Sequence, residues 1–168
     1  MSQFYLKQRV FSIVDNYVVY DGAQTPLYQI QGQFLSLPKR HEITNARTGE
    51  LLYTLKRPLL SLLPRFELID AAGDQVATIQ KMLSLFVSRI EISSNFGEYT
   101  VRGDVFAHDF QIEKEGLVIV EVHKKWLSWG DVYEIAIEDN QNQEFLLAMV
   151  VAIDQAMHEN RGSSGAHH

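Results

Sequence analysis

Histidine paired with a neighbouring carboxylate is the first chemistry to test in this chain, because such side chains can hold a metal or move a proton. The candidates are His41-Glu42, His108-Asp109 and His123. Their spacing matches none of the known zinc motifs, and they fall on separate strand patterns, where they read as polar surface residues. His158 falls at the close of the last helical pattern, where a cation complements the helix dipole. Ser61, Ser84 and Ser128 lie in turns, without a G-x-S-x-G elbow and without a His and Asp set implied nearby. The glycine-bearing stretches GDQVATIQK and GEYTVRGD depart from the P-loop and dinucleotide patterns. No catalytic residue, no metal and no cofactor is therefore expected, and the chain reads as a non-enzyme.

A second kind of chemistry is better supported, namely cations set beside apolar bulk at the tips of hairpins. Leu59, Leu60, Leu62 and Leu63 follow Arg57, then Leu83, Leu85 and Phe86 follow Lys81, and Trp126, Leu127 and Trp129 follow Lys124 and Lys125. Tryptophan beside lysine suits a membrane interface, with the ring buried and the charge among headgroups. The competing reading continues these residues as strands that close a barrel end, with the cations paired to Glu67, Glu91 and Glu134 for ~0 to 1 kcal/mol each. Strand parity places Arg57, Lys81 and Lys124 on the inward side unless a bulge intervenes.

The elements that must carry these tips repeat about every two dozen residues. Gly49, Gly73 and Gly116 each open the same hairpin pattern, with a basic residue eight places on. A fixed internal period governs architecture and is read first. Period-two alternation puts Tyr53, Leu55, Ala77, Ile79, Val120 and Val122 inward on the first arms, and Phe66, Leu68, Ile90, Ile92, Tyr133 and Ile135 inward on the second. Glu67, Glu91 and Glu134 then face water. Upstream, Phe4 to Gly32 reads as short strands with turn signals at Asp15-Asn16, Asp21-Gly22 and Thr25-Pro26.

A longer self-similarity overlies the hairpins. Tyr28 to Gly32 matches Tyr99 to Gly103, and each precedes a strand leading into a glycine-opened hairpin. The domain reads as internally duplicated, with Gly32 and Gly103 marking a bulge or a close backbone approach. From Asn142 the composition changes to QEFLLAMVVAIDQAMHEN, without glycine or proline, which favours helix. Its first half is apolar on every face and must be enclosed. An antiparallel barrel of about a dozen strands around this helix satisfies both patterns and removes exposed edges.

The chain has 168 residues, no cysteine and a formal net charge of −6. That length is a prior for one domain, assigned to residues 1–158, with a small polar tail at 159–168 expected to be disordered. Lack of cysteine excludes disulfides, thiolate zinc sites and cysteine nucleophiles. Scattered cations and negative net charge argue against nucleic acid as a partner. Phe145 to Ile153, the longest apolar run, is about half the ~20 residues that span a bilayer, so no transmembrane segment is expected. The N-terminus lacks a signal-peptide pattern, and a cytoplasmic location follows.

FYLKQRVFSIVDNYVVYD, the Tyr28 to Gly32 motif, the glycine-opened hairpins and the apolar last helix together resemble the LURP-one-related family, over roughly Phe4 to Met157. That family belongs to the wider Tubby C-terminal-like fold, with phospholipid scramblases as more distant relatives. The resemblance implies a twelve-stranded barrel threaded by a hydrophobic helix, and it carries no catalytic residues. Tubby relatives bind phosphoinositides through basic surface residues. The expected role is thus a non-catalytic binding or scaffold protein that meets an anionic phospholipid surface peripherally through Arg57, Lys81, Lys124, Lys125, Trp126 and Trp129. A protein-protein interaction module without a lipid role is the alternative.

Overall fold

A computed structural model of the chain describes residues 1–8, 16–33, 40–63, 65–82, 89–105, 107–127 and 130–158. The first half of the sheet comprises β1 (Ser2–Gln8), β2 (Asn16–Asp21), β3 (Pro26–Gly32), β4 (Arg40–Asn45), β5 (Leu51–Lys56) and β6 (Arg65–Asp70). The second comprises β7 (Gln75–Met82), β8 (Arg89–Ser94), β9 (Gly97–Asp104), β10 (Asp109–Lys114), β11 (Leu117–Leu127) and β12 (Gly130–Ile137), followed by α1 (Gln143–His158). Every strand pairs antiparallel with its chain neighbour, and β1 pairs with β12 from Ser2↔Ile137 to Lys7↔Val132. The result is a closed barrel, so no strand presents an open edge to another chain.

The repeats account for this order. Gly49, Gly73 and Gly116 all take positive φ in the turns that start their hairpins. Tyr28 to Gly32 is β3 and Tyr99 to Gly103 is β9, so the longer self-similarity relates strands half a barrel apart. Register shifts repeat with it, at Ile43/Thr44 on β4 and at Ile112/Glu113 on β10. Gly32 and Gly103, on β3 and β9, lie away from these shifts. Gly103 fills the second of its two expected roles, a close backbone approach: at φ 108°, a Cβ here would lie 2.7 Å from the Asp109 carbonyl oxygen.

All twelve residues assigned inward on the hairpin arms are buried. The core they line is filled by α1, where Phe145 to Ile153 and Ala156 are almost wholly enclosed. Asn142 caps the helix, its Oδ1 accepting from the Phe145 amide at 3.1 Å. Phe145 then packs against the rings of Tyr53, Phe96 and Tyr99 at centroid distances of 6.4, 4.7 and 6.0 Å. On the outer wall Glu42, Glu67, Thr78, Gln80, Glu91 and Glu121 are accessible to solvent to varying degrees. A polar wall around an apolar core is the reverse of a membrane-spanning barrel, whose apolar band faces outward. Among the described residues, no helix is long and apolar enough to cross a membrane.

Candidate functional site at the basic mouth

The meander sends alternate connections to opposite ends of the barrel. One mouth receives the start of α1 and the turns β2–β3, β4–β5, β6–β7, β8–β9 and β10–β11. The other receives the end of α1 and the connections β1–β2, β3–β4, β5–β6, β7–β8, β9–β10 and β11–β12. Charge follows this division. Asp21, Glu50, Asp70, Asp74, Glu98 and Asp139 lie at the first mouth with Arg47 and Lys114 among them, and Arg40, Lys56, Arg57, Arg65, Lys124 and Lys125 lie at the second with Asp104 and Asp109 among them, so the division is a bias of charge. The strands that lead into all three repeated tips, β5, β7 and β11, therefore end at the basic mouth, although they belong to separate hairpins.

Strand parity sets the direction of the repeated cations. Lys81 follows Ala77 and Ile79 on the inward face of β7 and is only 5% exposed. It lines the mouth from inside and does not project as a headgroup contact would. Lys124 follows Val120 and Val122, with its Nζ 5.8 Å from the Tyr133 ring centre, a cation–π arrangement. Arg57 continues the parity of Tyr53 and Leu55 just past β5 and is half-buried. Lys125 has the opposite parity and is exposed, its Nζ 2.6 Å from Glu134 Oε1. The hydrogen bond and charge of Glu134 raise the Lys125 pKa above the usual lysine value. This is one of the expected cross-hairpin pairings, and Glu67 lies 3.2 Å from Arg65 on its own strand.

Trp126 has its backbone in register with Asp131 on β12. Its side chain and that of Leu127 lie outside the described residues, as do Trp129, Leu83, Leu85, Phe86, Ser84, Ser128 and the tail at 159–168. The β5–β6 tip is described. There Leu59, Leu60 and Leu62 are 69%, 99% and 104% exposed, so they do not close the barrel end. The Ser61 hydroxyl donates to the Leu63 carbonyl and holds the tip in a local turn.

Beneath the mouth lies a polar group that the sequence reading did not anticipate. Asp154 in the last turns of α1 is 4% exposed, and its Oδ2 accepts from the Tyr17 hydroxyl at 3.3 Å. Gln155 Nε2 donates to the same hydroxyl at 3.4 Å. His108 Nδ1 is 3.3 Å from Asp154 Oδ1, an electrostatic contact without hydrogen-bond alignment, and its ring meets the face of Tyr133 edge-on at 5.0 Å. His108 and His41 are thus buried and are not the surface residues their strand patterns suggested. His123 is exposed as expected, with Nδ1 2.8 Å from Asp109 Oδ1. The available signal was Asp154 itself, because a carboxylate in an enclosed helix requires partners.

This group ties the end of α1 to β2 and to the β9–β10 turn. The tyrosine and histidine surround one carboxylate, and no described nucleophile is set against them. Among the described residues, no cluster of three or more histidines, aspartates and glutamates could hold a metal. A rim crevice between β2, β3, β4 and α1, lined by Val19, Tyr28, Ile30, Ile43, Glu144 and Leu147, measures about 10 Å³. That is room for about one water, far below the roughly 300 Å³ of a small-molecule site.

A closed twelve-stranded antiparallel barrel plugged by its own C-terminal helix is an architecture of the Tubby-like kind. The profile of LURP-one-related proteins matches residues 2–154, and the chain belongs to that family. It is 29% identical over 164 residues to the uncharacterized protein YxjI of Bacillus subtilis (strain 168), across 98% of this chain and 99% of that protein. A protein from Arabidopsis thaliana solved by X-ray crystallography superposes with a TM-score of 0.68 at 13% identity, covering 93% of this chain and 91% of the other. At that identity the likeness is one of fold.

Proposed function

We propose that the protein binds anionic membrane lipid peripherally, through the basic mouth, from the cytoplasmic side. The observation that carries this reading is the bias of charge along the barrel: cations outnumber carboxylates at the mouth that bears the leucine tip, and carboxylates outnumber cations at the other. An anionic surface attracts the first and repels the second, so it orients the molecule although the net charge is negative. Arg57, Lys124 and Lys125 supply headgroup contacts, with Trp126 and Trp129 on the same hairpin tip as the lysines. Lys81 adds its charge from within the mouth.

Flotation with phosphatidylserine or phosphoinositide vesicles, compared with neutral vesicles, tests the reading. Binding to the anionic vesicles is expected to fall steeply as salt rises. Lys124→Glu together with Lys125→Glu is expected to abolish it, with circular dichroism confirming the fold. Flotation that ignores lipid charge and salt, or none at all, defeats the lipid role and leaves a protein partner as the use of this mouth.

A further inference from the structure

We infer that the β5–β6 tip, Leu59 to Leu62, is the element that enters the apolar layer of the membrane, ahead of the tryptophan-bearing β11–β12 tip. The inference rests on the lipid reading above. Three leucines with exposures of 69%, 99% and 104% bury almost nothing in the protein itself. Such exposure has no structural benefit in water, and the Ser61 turn maintains it. Lys56 and Arg57 on one side and Arg65 on the other place cations around the base of the tip. Apolar residues in front and cations one turn behind match the depth profile of an anionic bilayer, hydrocarbon below headgroups.

Other occupants fit less well. A stable protein interface buries roughly 800 Å² per partner with close shape complementarity. One short leucine loop ringed by solvated charge provides much less, whereas a bilayer demands no shape match. A second copy docked tip to tip would bring Lys56, Arg57 and Arg65 against their own counterparts, a like-charge arrangement that opposes association. The bilayer alone answers both the leucines and the cations. Entry of this tip sets the barrel with the end of α1 toward the lipid and the acidic mouth away from it.

The chain has no cysteine, so a single label can be placed cleanly. Leu60→Cys is labelled with the environment-sensitive dye NBD, and Asp74→Cys at the acidic mouth serves as the reference position. With phosphatidylserine vesicles the label at 60 is expected to brighten, shift to the blue and be quenched by nitroxide on the acyl chains, while the label at 74 stays in water. Leu60→Asp with Leu62→Asp is expected to weaken vesicle binding about a hundredfold, at roughly tenfold per leucine, with an unchanged melt because neither side chain is packed. Flotation with a water-exposed label at 60 overturns the inference and leaves the lipid reading standing. Absence of flotation overturns both. Equal quenching at 60 and 74 also overturns it, because the barrel would then have no fixed orientation.

Discussion

The two mouths of the barrel are built from the same hairpins, yet they are finished in different ways. At the acidic mouth, side chains lock the turns: Asp21 Oδ1 accepts from the Ala23 and Thr25 amides, Asn45 Oδ1 from Arg47 and Thr48, and Asp70 Oδ1 from Ala72 and Asp74. The Ser2 hydroxyl, and after it the N-terminal amine at 3.2 Å, hold the Asp139 carboxyl below its usual pKa. At the basic mouth the β5–β6 connection is longer than any turn of the acidic mouth, its leucine tip stands in solvent, and a polar group is buried beneath, around Asp154. Polar side chains satisfy backbone amides in the locked turns of the first mouth and, through Asp104, in the β9–β10 turn at the second, where Asp154 also holds the helix end from inside. A repeated hairpin can thus keep one end fixed as a foundation while its other end carries surface chemistry.

The helix is what the two mouths share, and the largest expected effect tests that. Met149→Asp or Ala152→Asp sets a charge where the wild-type residue is fully buried between the two ends. The cost of an unpaired buried charge is several kcal/mol, enough to unfold a domain stabilised by about 5–15 kcal/mol. Loss of the folded signal in circular dichroism at 25 °C is expected for both variants. A wild-type melt for both would place the helix outside the barrel.

The next effect separates the ends of that helix. Asp154→Ala at the basic mouth removes the carboxylate that Tyr17 and His108 approach, and breaking a buried polar group of this kind costs about 3 kcal/mol. Asn142→Ala at the acidic mouth removes the cap on the Phe145 amide and a hydrogen bond with Tyr53, and costs about 1 kcal/mol. Urea unfolding of the two variants measures both. Equal losses would mean that the polar group below the basic mouth holds the helix no more firmly than a cap does.

How much of this was legible in the sequence depended on which residues obeyed a period. Tyr53, Leu55, Ile90 and Ile92 alternate strictly, and a half-buried strand allows only one face to be apolar, so their inward direction followed. The same parity predicted that Lys81 turns inward, against its composition-based reading as a headgroup ligand. His108 was not legible because it sits in the β9–β10 turn at φ 56°, where alternation no longer specifies direction. The leucine tip was visible as a motif, but an apolar run at a strand end reads equally as barrel closure. Its exposure is decided by where β5 stops and Ser61 turns the chain, which periodicity does not encode.

The smallest effect concerns Glu144, which stands at the acidic mouth beside the start of α1. Burial first, and repulsion from Glu50 second, raise its carboxyl above the usual pKa. A raised folded pKa means that the native state holds the proton more tightly than the unfolded chain does. Its contribution to stability is therefore fully present below the unfolded value near 4.5 and is lost as pH rises through the folded value. At pH 7 the ionised carboxylate is a burden, well under 1 kcal/mol after solvent screening of a half-exposed group. Glu144→Gln should accordingly raise the melting temperature at pH 7 by about 1 to 2 °C, and the difference should close as pH falls below 4.5. The helix N-terminus opposes this, because a negative charge in the first turn is worth about 0.3–1 kcal/mol. If Glu144→Gln melts lower at pH 7, the helix dipole outweighs the crowding of carboxylates, and the acidic mouth is electrostatically settled instead of strained. In that case its negative charge belongs to the foundation of the barrel as much as its locked turns do.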